Sequence, residues 1–232
     1  MTHTSHETSP LALSAGDPPR PPQEAKAKVL AETFLNLTKS APNLAAELRM
    51  LRNSGALTTI LPEFANTWGP RGEQSPNWHP EGNVWTHTLM VVEALPSNAS
   101  YALRLAAIFH DIAKPATFFK YPTSGGITFD GHAQVGADML RRIIGPRLGV
   151  DGDTLERAAT LIEYHMFMHD FYKPEQVNAD FQQHILKLPC VEELIELQHA
   201  DVNGTGISPE RKIEASYRER LRALLATNSQ TV

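Results

Sequence analysis

The chain contains a single cysteine, Cys190, among its 232 residues. An intramolecular disulfide is therefore excluded, and a reducing compartment is the expectation. No apolar run approaches the roughly 18–20 residues that a membrane-spanning helix needs. The N-terminus has neither the basic start nor the apolar stretch of a secretory signal. Positive charge is in short supply: 21 Lys and Arg against 26 Asp and Glu leave a formal net charge of −5. That balance argues against a broad basic footprint for duplex nucleic acid, although a small site can still take one phosphate or a strand end. Internal repeats, heptads and regularly spaced strands are missing as well. The expectation is a cytoplasmic protein without membrane contact.

What is present reads as helix. With 41% hydrophobic and 20% charged residues, the chain is long enough for one well-filled core. Residues 1–23, MTHTSHETSPLALSAGDPPRPPQ, carry Ser, Thr and Pro with little apolar periodicity, and are expected to form a disordered tail. From Glu24 the spacing turns helical: Val29, Leu30, Phe34 and Leu37 fall at helical spacing, as do Leu44, Leu48 and Leu51 before Gly55. A polar loop over 66–83 follows. Further helices are predicted near 84–95, 100–112, 133–144, 152–168, 176–187, 190–201 and 209–226, the last with Ile213, Tyr217, Leu221 and Leu224 along one side. The stretch 121–131, YPTSGGITFDG, reads as a loop or short hairpin. The fold class is all-α, with one domain over 24–226 behind the tail.

Against this apolar background, AAIFHDIAKPA sets His110 and Asp111 side by side, with Lys114 three residues on. A buried ionisable pair is costly unless a partner or a metal neutralises it. Other groups of matching chemistry fall on or beside the predicted helices: His87 in NVWTHTLMVVEAL, His132 after the loop, His165 in ATLIEYHMFMHD, and Asp201 in ELIELQHAD. Neutral imidazole and carboxylate are ligands for divalent first-row metals. Such ions acidify a bound water and polarise a phosphoryl group. Lys114 shares the face of His110 and Asp111 and can hold a phosphate oxygen as a point charge. Each group alone has an ordinary explanation: a hydrogen-bonded histidine, a helix cap at Asp201, a cation at a helix end at Lys114. The ordered set is what points to a metal centre. His169 follows His165 by one helical turn, but Met166 stands where a zinc-protease motif would need Glu.

The order His87, His110–Asp111, Asp201 resembles the HD superfamily of metal-dependent phosphohydrolases, whose signature runs His, His-Asp, Asp. HPEGNVWTHTLMVVEAL and the preceding AELRMLRNSGALTTILPEFA look like the HD region of bacterial tRNA nucleotidyltransferases, the CCA-adding enzymes. No Gly-Ser pair followed by an Asp-x-Asp carboxylate pair is present, so the nucleotidyltransferase head is not expected. The resemblance implies a helical bundle with a metal site between core helices. His87, His110, Asp111 and Asp201 would hold a first metal. His132 and His165 would serve a second ion with Asp111 bridging, or contact the phosphate if one ion binds. One or two divalent transition ions are implied, Mn, Ni, Co or Fe in preference to Mg or Zn.

Asp111 and Lys114 would be the catalytic residues. Lys114, His79, Glu81 and His169 would be the substrate-side groups, with His79 and Glu81 at the pocket mouth. The implied substrates are 2′,3′-cyclic phosphates and 2′- or 3′-phosphomonoesters of nucleotides or RNA ends. Rival readings are a 5′-nucleotidase or nucleoside triphosphate phosphohydrolase, and a helical binding module without chemistry. Ala113 replaces the Gly usual between His-Asp and Lys, a change a helix tolerates. Lys120–Tyr121–Pro122 is not the Gly-Tyr-Pro element of cyclic-di-GMP phosphodiesterases.

Overall fold

The computed structural model describes residues 23–167, 179–207, 222–223 and 225–226. Residues 1–22, His169 and most of the predicted helix at 209–226 lie outside the described residues. The helices are α1 (Gln23–Ser40), α2 (Leu44–Asn53), α3 (Ala56–Ile60), α4 (Val84–Ala94), α5 (Tyr101–Phe109) and α6 (Lys114–Thr117). They continue with α7 (His132–Met139), α8 (Gly145–Leu148), α9 (Gly152–Tyr164), α10 (Ala179–Leu186) and α11 (Val191–Asn203). The one sheet among the described residues is a hairpin, Phe119–Lys120 paired antiparallel with Ile127–Thr128. The fold is all-α.

Two helices form the centre because they are apolar nearly all round. In α4, Val84, Trp85, Leu89, Val91 and Val92 are buried, and in α5 every residue from Leu105 to Phe109 is buried. The longer amphipathic helices pack on them: α9 on α5, α11 on α4 and α5, and α7 on α9. An aromatic cluster closes the far end, with Phe64 5.7 Å from both Trp85 and Phe109 between ring centroids.

Side-chain caps fix where the central helices start. Asn83 accepts from the Thr86 N–H at 2.9 Å and Ser100 from the Leu103 N–H at 3.1 Å. Asp151 does the same for α9 through Thr154 at 3.0 Å. The predicted helix at 100–112 stops earlier, at Phe109, and His110 to Ala113 form a turn. The predicted helix at 133–144 begins at His132 and passes into a π-helical turn over Leu140–Ile144. Pro146 follows that turn; it has no N–H to donate to a preceding carbonyl, so the regular α pattern cannot run through it. The loop at 66–83 is tied down by a bridge between Glu73 and Asn83 and by a 3₁₀ turn at Pro70–Gly72.

Candidate metal centre

The ligand-type side chains converge because they sit at helix ends. His110 and His165 are the residues immediately after α5 and α9, and His132 is the first of α7. Gly131 precedes His132 with φ +77°, a conformation glycine adopts without cost. Each of the three rings donates its Nδ1–H to the carbonyl three residues back. His110 reaches Ala107 at 2.9 Å, His132 reaches Phe129 at 2.9 Å, and His165 reaches Ile162 at 2.6 Å. A carbonyl only accepts, so the proton must be on Nδ1 and the Nε2 atoms face inward. Two of these carbonyls, Phe129 and Ile162, also accept the backbone N–H of the same histidine, at 3.1 and 3.4 Å.

Asp111 stands between two sets of these nitrogens at 1% exposure. Its Oδ2 lies 3.3 Å from His110 Nε2 and 3.7 Å from His87 Nε2; its Oδ1 lies 3.3 Å from His132 Nε2 and 3.9 Å from His165 Nε2. One carboxylate thus faces two imidazole groups with different oxygens. Asp201 joins the first set, its Oδ1 2.8 Å from His87 Nε2 and 3.9 Å from His110 Nε2. Lys114 Nζ approaches Asp111 Oδ2 to 2.7 Å. Its ammonium and the neighbouring His110 ring outweigh burial, which alone would raise the Asp111 pKa, and hold that carboxyl well below the usual range.

The donor set fits a divalent cation on its own geometry. His110 Nε2 and Asp111 Oδ1 are buried without a hydrogen bond, and the close partner of Asp111 Oδ2 is the Lys114 ammonium. His132 and His165 bring their Nε2 atoms to 3.3 Å, and only one nitrogen of such a pair can carry a proton. Burial, with the charges of His132 and His110, pushes the His165 pKa down to about 3, so its lone pair is available. Imidazole nitrogens and carboxylate oxygens that converge in this way are the donor set a divalent cation takes, displacing the protons that some of them carry without it.

Burial alone would lower the His87 pKa, but Asp201 and Glu81 hold it up at about 9. As a metal ligand His87 would give up that proton. Behind it, Glu81 Oε1 lies 3.0 Å from His87 Nδ1 and 2.8 Å from His79 Nδ1, and Glu81 Oε2 accepts the Gly206 N–H at 2.9 Å. These partners overcome burial and keep the Glu81 carboxyl well below its ordinary pKa. Such a carboxylate fixes the ring of a ligating histidine. Glu81 therefore lies behind His87, with its side chain 3% exposed, whereas His79 lines the cavity that opens over the centre.

Sequence reasoning passed over Gln74. It is 5% exposed, and its Oε1 accepts from Lys114 Nζ at 2.7 Å. An ammonium has no acceptor, so the amide oxygen must face it; Gln74 Nε2 is then buried without a hydrogen bond. Nothing in the polar loop at 66–83 distinguishes Gln74 from its neighbours in sequence. Gly204 was passed over too: a Cβ there would lie 2.7 Å from the Val91 nitrogen, so only glycine lets α11 lie this close to α4.

Fold and centre together define an all-α domain built round a buried His/Asp cluster shared by one aspartate. The HD domain family matches this chain over residues 84–210, more than half its length, and the chain belongs to that family. It is 35% identical over 123 residues to the multifunctional CCA protein of Halorhodospira halophila, covering 53% of this chain and 28% of that one. It is 34% identical over 154 residues to the CC-adding tRNA nucleotidyltransferase of Thermus thermophilus, covering 63% of this chain and 32% of that one. The A-adding tRNA nucleotidyltransferase of Deinococcus radiodurans is 32% identical over 129 residues, 54% of this chain and 29% of that one. The likeness thus spans about a third of these relatives' length, and it is to an HD module related to those enzymes.

Proposed function

We propose that this chain is a metal-dependent phosphohydrolase, with 2′,3′-cyclic phosphates and 2′- or 3′-phosphomonoesters of nucleotides or RNA ends as substrates. The observation that carries the reading is Asp111, which turns one oxygen to His87 and His110 and the other to His132 and His165. Similarity to tRNA-processing enzymes supports an RNA-related substrate. The catalytic domain would extend over residues 24–226.

His87, His110, Asp111 and Asp201 would hold one ion, and Asp111, His132 and His165 a second. Divalent ions so held supply Lewis acidity toward a phosphoryl oxygen and hydroxide near neutral pH. The protein's part is to fix the geometry. Main-chain bonds lock the rings of His110, His132 and His165, so the ligand set pays little reorganisation when it binds. Lys114, held between Asp111 and Gln74, offsets the negative charge of the substrate phosphate at the edge of the centre. His79 lines the cavity beside the centre.

The test is hydrolysis by metal-stripped protein resupplied separately with Mn, Ni, Co, Mg or Zn. The panel is 2′,3′-cyclic AMP with 2′-, 3′- and 5′-AMP. Cleavage of the cyclic and 2′ or 3′ compounds is expected, and Asp111→Ala should lower it by more than about a hundredfold. Turnover confined to 5′-AMP would replace the substrate assignment. Full activity in Asp111→Ala would remove the proposed centre.

A further inference from the structure

A cavity of about 540 Å³ opens beside the His/Asp centre. That volume is in the range of small-molecule sites. Its charged and polar lining includes Lys114 and His132, each 7% exposed, with the carboxylates of Asp130 and Glu163. Its apolar lining includes Trp78, Phe129, Met166 and Phe167. Phe129 already carries Lys114 Nζ 5.6 Å from its ring centre, and Phe167 packs 4.0 Å from Phe181. Trp78 is 66% exposed. The chain has three tryptophans, and the other two pack edge to face at 5.4 Å, Trp85 buried and Trp68 half-buried against the core.

A phosphate seated at Lys114 must leave the rest of its ester along this cavity. Ribose alone, ringed with hydroxyls, makes little use of aromatic walls. A planar nucleobase does, since each base offers a π face to an indole, and stacking of this kind is indifferent to the base's hydrogen-bonding edge. We propose that Trp78 stacks the nucleobase of the substrate, so that the site selects phosphates borne by a nucleoside of any base over abasic ones. This rests on the phosphohydrolase reading above and adds to it a specificity-determining residue and a substrate class.

The experiment has two readouts on the full-length protein at constant metal concentration. Adenosine and uridine 2′,3′-cyclic phosphates are titrated against the intrinsic fluorescence, and KM and kcat are measured for these compounds and for the corresponding abasic ribose phosphate. Both nucleotides should quench the exposed indole. Trp78→Ala should abolish the quench and raise KM for both nucleotides about tenfold with little change in kcat, while leaving the abasic substrate unaffected. Trp78→Phe should restore KM to within about threefold. Melting temperatures measured on both variants separate lost stacking from lost folding. Absence of quenching, with nucleotide KM unchanged in Trp78→Ala, overturns the inference. Quenching by nucleotides that are not hydrolysed supports base stacking while rejecting the proposed reaction, so the two failures are distinct.

Discussion

At the scale of single residues, the site is built from groups whose second bond decides their role. The histidines at 110, 132 and 165 work as an inward-facing set because each ring's other nitrogen is tied to the main chain. Glu81 does the corresponding job for His87. Gln74 does it for the cation: without it, Lys114 would keep only Asp111 as a close anionic partner and would swing more freely. A hydrogen bond to a charged group contributes roughly 1.5–3 kcal/mol. Replacing Gln74 by Leu should therefore raise KM for a phosphoester about tenfold or more, with metal affinity unchanged. Steady-state kinetics beside a metal titration checks this. Unaltered KM in a folded Gln74→Leu protein would show that Lys114 is positioned without it. The motif residues were legible in sequence because His and Asp are rare in apolar helices. Gln74 was not, because an amide in a polar loop carries no such contrast.

At the scale of elements, the centre depends on how closely helices approach. His87 and Asp201 are 114 residues apart, yet meet at 2.8 Å because α11 lies against α4. Gly204, just past α11, is where that approach is tightest, with the Val91 backbone where a Cβ would go. Its φ of −72° is ordinary, so the glycine is needed for space and not for backbone freedom. Gly204→Ala should destabilise the fold by about 1–3 kcal/mol, lowering the melting temperature by roughly 2–10 °C. It should also weaken metal binding by displacing Asp201. An unchanged or raised melting temperature, the ordinary result of adding a good helix former, would show that α4 and α11 have room to spare. Helix existence was readable from apolar spacing: the prediction at 84–95 corresponds to α4 at Val84–Ala94, and that at 190–201 to α11 at Val191–Asn203. The end of α5 was misplaced. The apolar run continues past it through Ile112, so periodicity gives no sign that the chain turns at His110.

At the scale of the whole molecule, the cluster is a fault in an otherwise dry core that a cation would repair. Asp111, His87, His110 and His165 are each no more than 1% exposed. Anything that binds this arrangement and not the unfolded chain stabilises the fold by mass action, about 2.7 kcal/mol at a hundredfold excess over Kd. Metal-stripped protein should accordingly melt about 5–10 °C below protein resupplied with Mn or Ni. Calorimetry on the two forms checks it, and coincident transitions would remove the metal from the folding account. No helix among the described residues is long and apolar enough to cross a membrane.

By itself the sequence determined the all-α class, the central helices and the candidate ligands. Apolar period, caps and the placing of ionisable groups are local properties that one strand of text contains. Only the tertiary structure decided which oxygen of Asp111 faces which histidine, that Glu81 lies behind His87, that Gln74 holds Lys114, and that Trp78 lines the cavity. Those are distances between segments far apart in the chain, set by how helix surfaces fit together, and no residue spacing encodes them.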